Sequence, residues 1–132
     1  NHRVILCERG IRDVAGSSQV ILDLGAVPEL RLRSHLPILV DPSHGSGAAH
    51  RVAPLARAAT AVGADGLLIE VHNDPTRALS DGQQALTIEQ FRRTMDEIAA
   101  IHRALPATAR DIASREAETG AFPGIVATPG KD

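Results

Sequence analysis

Cysteine is almost absent from this chain: Cys7 stands alone among 132 residues. An internal disulfide is therefore impossible, and nothing calls for an oxidising compartment. A basic block is missing too. Lys and Arg total 14 against 16 Asp and Glu, for a net charge of −2, so no stripe can neutralise a row of nucleic-acid phosphates. Nucleic acid is not expected as a partner. Long apolar runs are also lacking. The longest, such as residues 4–7 and 66–69, fall far short of the roughly 20 residues a membrane span needs. Asn1 opens no signal peptide, because no basic start, apolar run and small-residue cleavage site follow it. These absences lead us to expect a cytoplasmic protein, and the lack of Met at position 1 to expect an incomplete chain. What remains is 43% apolar residues with both charge signs interspersed, the composition of an ordinary globular domain.

Three apolar runs of strand length, residues 3–7, 37–40 and 66–71, each follow a turn signal and end in charged residues. Their starts lie 34 and 29 residues apart, about one βαβ unit, which predicts a parallel sheet. The runs lack polar alternation, as strands covered by helices require. Between the second and third runs, Val52, Leu55, Ala56, Ala59 and Val62 repeat at helical spacing, and Gly63 sits where a left-handed cap is wanted. Thr87 and Gln90 make a capping box, flanked by Leu86 and Phe91 as a hydrophobic staple. Phe91, Met95, Ile98, Ile101 and Leu105 continue one apolar stripe. A short helix is expected near 26–34, with Pro28 at its start. The segment 106–132 reads as a loose tail with a short helix near 108–118. Residues 1–105 thus form an α/β unit of about three βα repeats. That is less than half of a (β/α)8 barrel, which takes about 250 residues.

Charged residues gather at the carboxyl end of each run: Glu8 and Arg9, then Asp41 and His44, then Glu70 and His72. Parallel α/β sheets place their active sites at that edge. His44, Glu70 and Asp81 offer nitrogen and oxygen donors suited to a divalent ion of the Mn, Fe, Co or Zn class. Spacing alone favours plainer roles. His44 reads as a loop residue capping the next helix, and Asp81 as a turn residue in Ser80-Asp81-Gly82.

Residues 4–12 (VILCERGIR), 36–44 (LPILVDPSH), 69–72 (IEVH) and 78–86 (ALSDGQQAL) closely resemble the last strands of class I 3-deoxy-7-phosphoheptulonate synthases, in their compact microbial branch. The resemblance runs in order from Asn1 to about Arg103. It implies the carboxyl-terminal part of a (β/α)8 barrel lacking its first strands. It also implies condensation of phosphoenolpyruvate with erythrose 4-phosphate, at the entry to aromatic amino acid synthesis, in an enzyme expected to be a homo-oligomer. His44, Glu70 and Asp81 match three metal ligands of that family. The fourth is a cysteine on the first barrel strand, and Cys7, on a later strand, reads instead as a buried structural thiol. Arg9 matches an arginine that grips the phosphate of phosphoenolpyruvate, Gly10 would let the backbone approach, and Ser43 belongs to the same substrate-facing motif. His44 or Asp81 would manage protons. Asp41 and His72 lie near enough along the strands either to orient the ligands or to hydrogen-bond to neighbouring loops.

The pattern departs from the family at Ala48 and Ala49, where arginines are common, and at Asp13, where threonine is usual. His2, His35, His50 and His102 read as ordinary surface or loop histidines. Two other readings stand beside the first. One is 3-deoxy-8-phosphooctulonate synthase, which shares the Glu-Arg-Gly and Ser-Asp-Gly turns, although Pro42-Ser43 favours the heptulosonate enzyme. The other is a truncated fragment without catalysis.

Overall fold

The computed structural model describes residues 3–12 and 20–105. Asp13, His2 and the expected tail with its helix near 108–118 lie outside the described residues. Along the chain come β1 (Leu6–Glu8), β2 (Ile11–Arg12), β3 (Val20–Ile21), α1 (Ala26–Arg33), β4 (Ile38–Val40), α2 (Pro42–Ser46), α3 (Ala49–Ala61), β5 (Gly66–Leu67), a 3-10 turn (Pro75–Arg77) and α4 (Ile88–Ala104).

The three expected runs do form one parallel sheet, in the order β1-β4-β5, with Leu6 beside Ile38 and Val40 beside both Glu8 and Leu67. Each strand is shorter than its apolar run. The first begins at Leu6 rather than at residue 3, and the third ends at Leu67, with Val71 forming only an isolated parallel bridge to Leu86. Ile38 and Val40 are fully buried against Val27 of α1 and Ala59 of α3, with Leu6, Leu22, Leu24, Leu30 and Leu67 packed around them. Burying such side chains is the main stabilising term, roughly 1.5–3 kcal/mol each.

Pleating sends alternate residues to opposite faces. Cys7, Leu39 and Gly66 share a register row on the face turned away from that core. A Cβ on Gly66 would lie 2.6 Å from Leu39 Cδ2, so glycine is what lets Leu39 occupy that row. Cys7 is exposed. The expectation of a buried thiol is therefore corrected: the pleat that turns Leu6 toward the helices turns Cys7 to the uncovered side.

The helices follow the expected signals in most respects. α3 buries Val52, Ala56 and Ala59, and Gly63 adopts φ 92° just after its end. Val62, expected on the same stripe, is instead 39% exposed, because α3 has already ended. α4 begins with the full capping box: Gln90 N donates to Thr87 Oγ1 at 3.2 Å and Thr87 N donates to Gln90 Oε1 at 2.8 Å. Its buried residue is Thr94, whose Oγ1 donates to Gln90 O at 2.8 Å. The stripe expected to be internal is only part-covered. Phe91, Met95, Ile98 and Leu105 line an open groove beside Gly66–Leu67. No helix among the described residues is long and apolar enough to cross a membrane.

Candidate metal centre

His44 sits on α2, whose start is set by two neighbouring residues. Asp41 is its N-cap, accepting from His44 N at 2.9 Å, and Pro42 follows with the fixed φ a first helical position favours. Gly47, at φ 63°, closes the turn after Ser46. The cap carboxylate does a second job, since its Oδ2 lies 2.8 Å from His44 Nδ1. An ionised carboxylate only accepts, so Nδ1 is the donor, and Nε2 is the nitrogen left to face a ligand. Nε2 lies 3.1 Å from Glu70 Oε1.

Glu70 follows β5 and is held from three sides. Its N donates to Ser43 Oγ at 3.0 Å, its Oε2 accepts from Gln84 Nε2 at 3.1 Å, and its carbonyl accepts from Leu86 N at 2.9 Å. The segment beyond Glu70 leaves the sheet and returns to the same place. His72 N donates to Leu86 O at 2.9 Å, so the Val71–Leu86 bridge clamps the neck of a loop that carries Asp81. Asp81 adopts φ 56°, a left-handed conformation that Asp tolerates better than most residues. A Cβ on the next residue, Gly82, would lie 2.3 Å from Pro75 O, so the loop can fold back there only through glycine.

Donor atoms of His44, Glu70 and Asp81 all lie within 4.8 Å of one another. One imidazole nitrogen and two carboxylates, two of the three residues half-buried and the third exposed, make a set that fits an open divalent site. The structure thus brings together the three residues expected as ligands. Cys7 does not join them. Its thiol is pushed up from its ordinary value, chiefly by desolvation and then by the charge of Asp41.

Arg9 stands beside this group with Nη1 3.3 Å from Asp41 Oδ2, and its side chain is 55% exposed. Its turn is fixed by Glu8, whose Oε1 accepts from Gly10 N at 2.9 Å and from Asp23 N at 3.1 Å. Gly10 has φ 93°, and a Cβ there would fall 2.3 Å from Val20 Cγ1 and 3.1 Å from Gly45 Cα. The expected close backbone approach is therefore an approach to α2. Ser43, expected to face substrate, is fully buried with its hydroxyl on Glu70 N. His72, expected to orient ligands, uses Nδ1 to accept from Asp74 N at 2.9 Å. His35, His50 and His102 are exposed. Gln84, 4% exposed, was not singled out in the sequence. Its only signal there is a polar residue set directly before Ala85 and Leu86, and that pattern is common.

The sequence matches the model of the DAHP synthetase I family over residues 1–104. The chain belongs to that family. It is 51% identical over 105 residues to the phospho-2-dehydro-3-deoxyheptonate aldolase of Thermotoga maritima, an alignment covering 80% of this chain and 31% of that protein. A 2-dehydro-3-deoxyphosphooctonate aldolase of Syntrophotalea carbinolica is 37% identical over 112 residues, covering 76% of this chain and 39% of the relative. The crystal structure of the Thermotoga maritima aldolase, named DAHP synthase, superposes with a TM-score of 0.72 at 52% identity, over 76% of this chain and 30% of that one. The chain thus spans about a third of the length of the DAHP synthetase I relatives it matches. The parallel β1-β4-β5 sheet with its helices is accordingly part of a (β/α)8 barrel.

Proposed function

We propose that this chain carries the metal-binding and phosphate-binding side of a 3-deoxy-7-phosphoheptulonate synthase, acting in the cytoplasm as a homo-oligomer, with neither nucleic acid nor membrane as a partner. The reaction joins phosphoenolpyruvate to erythrose 4-phosphate with uptake of water and release of phosphate. The observation that carries the reading is the convergence of one donor atom each from His44, Glu70 and Asp81 within 4.8 Å at the carboxyl edge of the sheet, one side chain away from Arg9.

His44, Glu70 and Asp81 would hold a divalent ion of the Mn, Fe, Co or Zn class, and that ion supplies Lewis-acid polarisation of the sugar-phosphate aldehyde. The protein's own groups do the remaining work. Arg9 grips the phosphoryl group of phosphoenolpyruvate through its planar fork. Gly10 lets the backbone turn that carries Arg9 settle against α2. Asp41 fixes the His44 tautomer, and Ser43 and Gln84 fix the backbone and carboxylate of Glu70. As the enol carbon attacks the aldehyde, the new alkoxide needs a proton and the attacking water must lose one. Of the two residues expected to manage these protons, Asp81 would exchange them, because the ring nitrogens of His44 are committed to Asp41 and to the ion.

The higher identity to the heptonate aldolase, 51% against 37%, supports this over the octonate reaction. Assay of the full protein with Mn decides between them. Phosphate release with phosphoenolpyruvate and erythrose 4-phosphate, abolished by a chelator, is the expected result. Turnover only with a five-carbon aldose phosphate, as an eight-carbon product requires, would transfer the protein to the octonate reaction. No turnover with either aldose would leave the truncated, non-catalytic reading.

A further inference from the structure

We propose that Asp41 is a coupling carboxylate, which makes a phosphoryl anion on Arg9 and a divalent cation on His44 tighten one another's binding. The inference rests on the roles given above to Arg9 and His44, and adds the link between them. Asp41 is fully buried. Its backbone is fixed at both ends, with N donating to Glu8 O at 2.8 Å and O accepting from Gly45 N at 3.0 Å. Oδ1 accepts from His44 N at 2.9 Å. Oδ2 serves two donors, His44 Nδ1 at 2.8 Å and Arg9 Nη1 at 3.3 Å. Each of those donors belongs to a side chain that works for a different ligand.

A single acceptor shared this way divides its electron density. When an anion takes up the guanidinium, Arg9 draws less on Oδ2, and the carboxylate accepts more strongly from Nδ1–H. The imidazole becomes a better donor at Nε2, on the side of Glu70 and Asp81. A cation on Nε2 works in reverse, drawing Nδ1–H toward Oδ2 and releasing Arg9 to the anion. Reciprocity of the two effects is required by linkage. Burial of Asp41 keeps water from screening the link. Arg9 is exposed enough to meet an anion, since its fork carries five N–H donors and the side chain is 55% open.

Direct attraction between a bound anion and a bound cation would also couple them, so the test must remove the link and keep the charges. Mn affinity of the full protein is measured by electron paramagnetic resonance, with and without saturating inorganic phosphate. In the natural protein phosphate is expected to tighten Mn by about fivefold or more. Asp41→Asn removes the shared charge, and the ratio should fall to about twofold or less, with Mn itself bound about 10–100-fold more weakly. Arg9→Lys keeps a positive charge but not a fork able to hold Asp41 and an anion together. Its ratio should fall in the same way, and it decides the matter if Asp41→Asn does not fold. An undiminished ratio in either folded variant, or no coupling in the natural protein, overturns the proposal. Turnover is not read in this experiment. Intact coupling in a protein without synthase activity would sink only the functional reading, and active enzyme without coupling would sink only this one.

Discussion

The carboxyl-edge site and the groove between β5 and α4 lie on the same sheet and differ in closure. Asp41, Ser43 and Gln84 are all at most 4% exposed, and among the described residues no buried side-chain nitrogen or oxygen lacks a partner. In the groove Leu68 is 45% exposed and Met95 41%. β5 has only β4 as a ladder neighbour among the described strands. The contrast shows which contacts a short stretch of chain can complete by itself. Asp41 and His44 are three residues apart and meet on one turn, and Glu70 and Gln84 meet because the Val71–Leu86 bridge closes the loop between them. Apolar faces have no such local partner and need other elements to cover them.

The largest expected effect would break the site and leave the groove untouched. In the full protein, His44→Ala should empty the metal site and abolish turnover. Arg9→Ala should keep the metal and mainly weaken phosphoenolpyruvate binding. Metal analysis beside phosphoenolpyruvate titration checks both, and an Arg9→Ala protein without metal would defeat the assignment. Next comes the core that both regions share. Ile38→Ala, at a fully buried position, should cost about 2–5 kcal/mol by cavity formation, read from urea unfolding of the full protein. The same change at Met95, half-exposed, should cost well below that in the 132-residue chain.

A third test sharpens the contrast from the groove's side. Expressed by itself, the 132-residue chain should turn over no substrate and should self-associate through the groove and the edges of β1 and β5 that no described strand covers. Met95→Lys together with Leu68→Lys should shift its sedimentation toward monomer. Unchanged association would show that the groove plays no part.

The smallest effect belongs to the ion pair joining α3 to α4. Glu97 is bonded by Arg57, and by Arg93 Nε at 3.2 Å. The Arg57 hydrogen bond, more than any other influence, holds its carboxyl below the ordinary value. Because the folded value is the lower one, the unfolded state binds the proton first. The contribution is therefore present above the ordinary glutamate range and lost as pH falls through the depressed folded value. Exposure keeps it small. Melting curves of the full protein and Glu97→Gln, compared between pH 7 and acid, should converge at low pH. A gap that widens in acid would reverse the sign.

Long or chemically specific signals were legible in the sequence. The capping box at Thr87 and Gln90, the cap at Gly63 and the parallel runs each involve several residues whose types agree with one geometry. Short elements were not. The antiparallel β2-β3 hairpin has two residues per strand, and α2 has five residues, too few for any period to emerge. Ligand spacing alone favoured plain roles for His44 and Asp81, and their convergence depends on α2 and on the clamped loop, neither of which leaves a periodic trace. Cys7 was misjudged for another reason: an apolar run without alternation does not show which of its two faces the helices cover, and the rest of the fold decides that.

The clamp at Val71 and Leu86 has one further consequence. A loop pinned at its neck behaves as a cassette, because its two ends are positioned by the sheet and not by its own length. Leu79 at its outer part is fully exposed, whereas Gln84 is buried on the return segment, its N donating to Asp81 O at 3.1 Å. The outer part can be exchanged or lengthened while the return segment and the neck stay in register. A surface of this kind lets variation at the rim proceed independently of the ion-holding residues a few positions away.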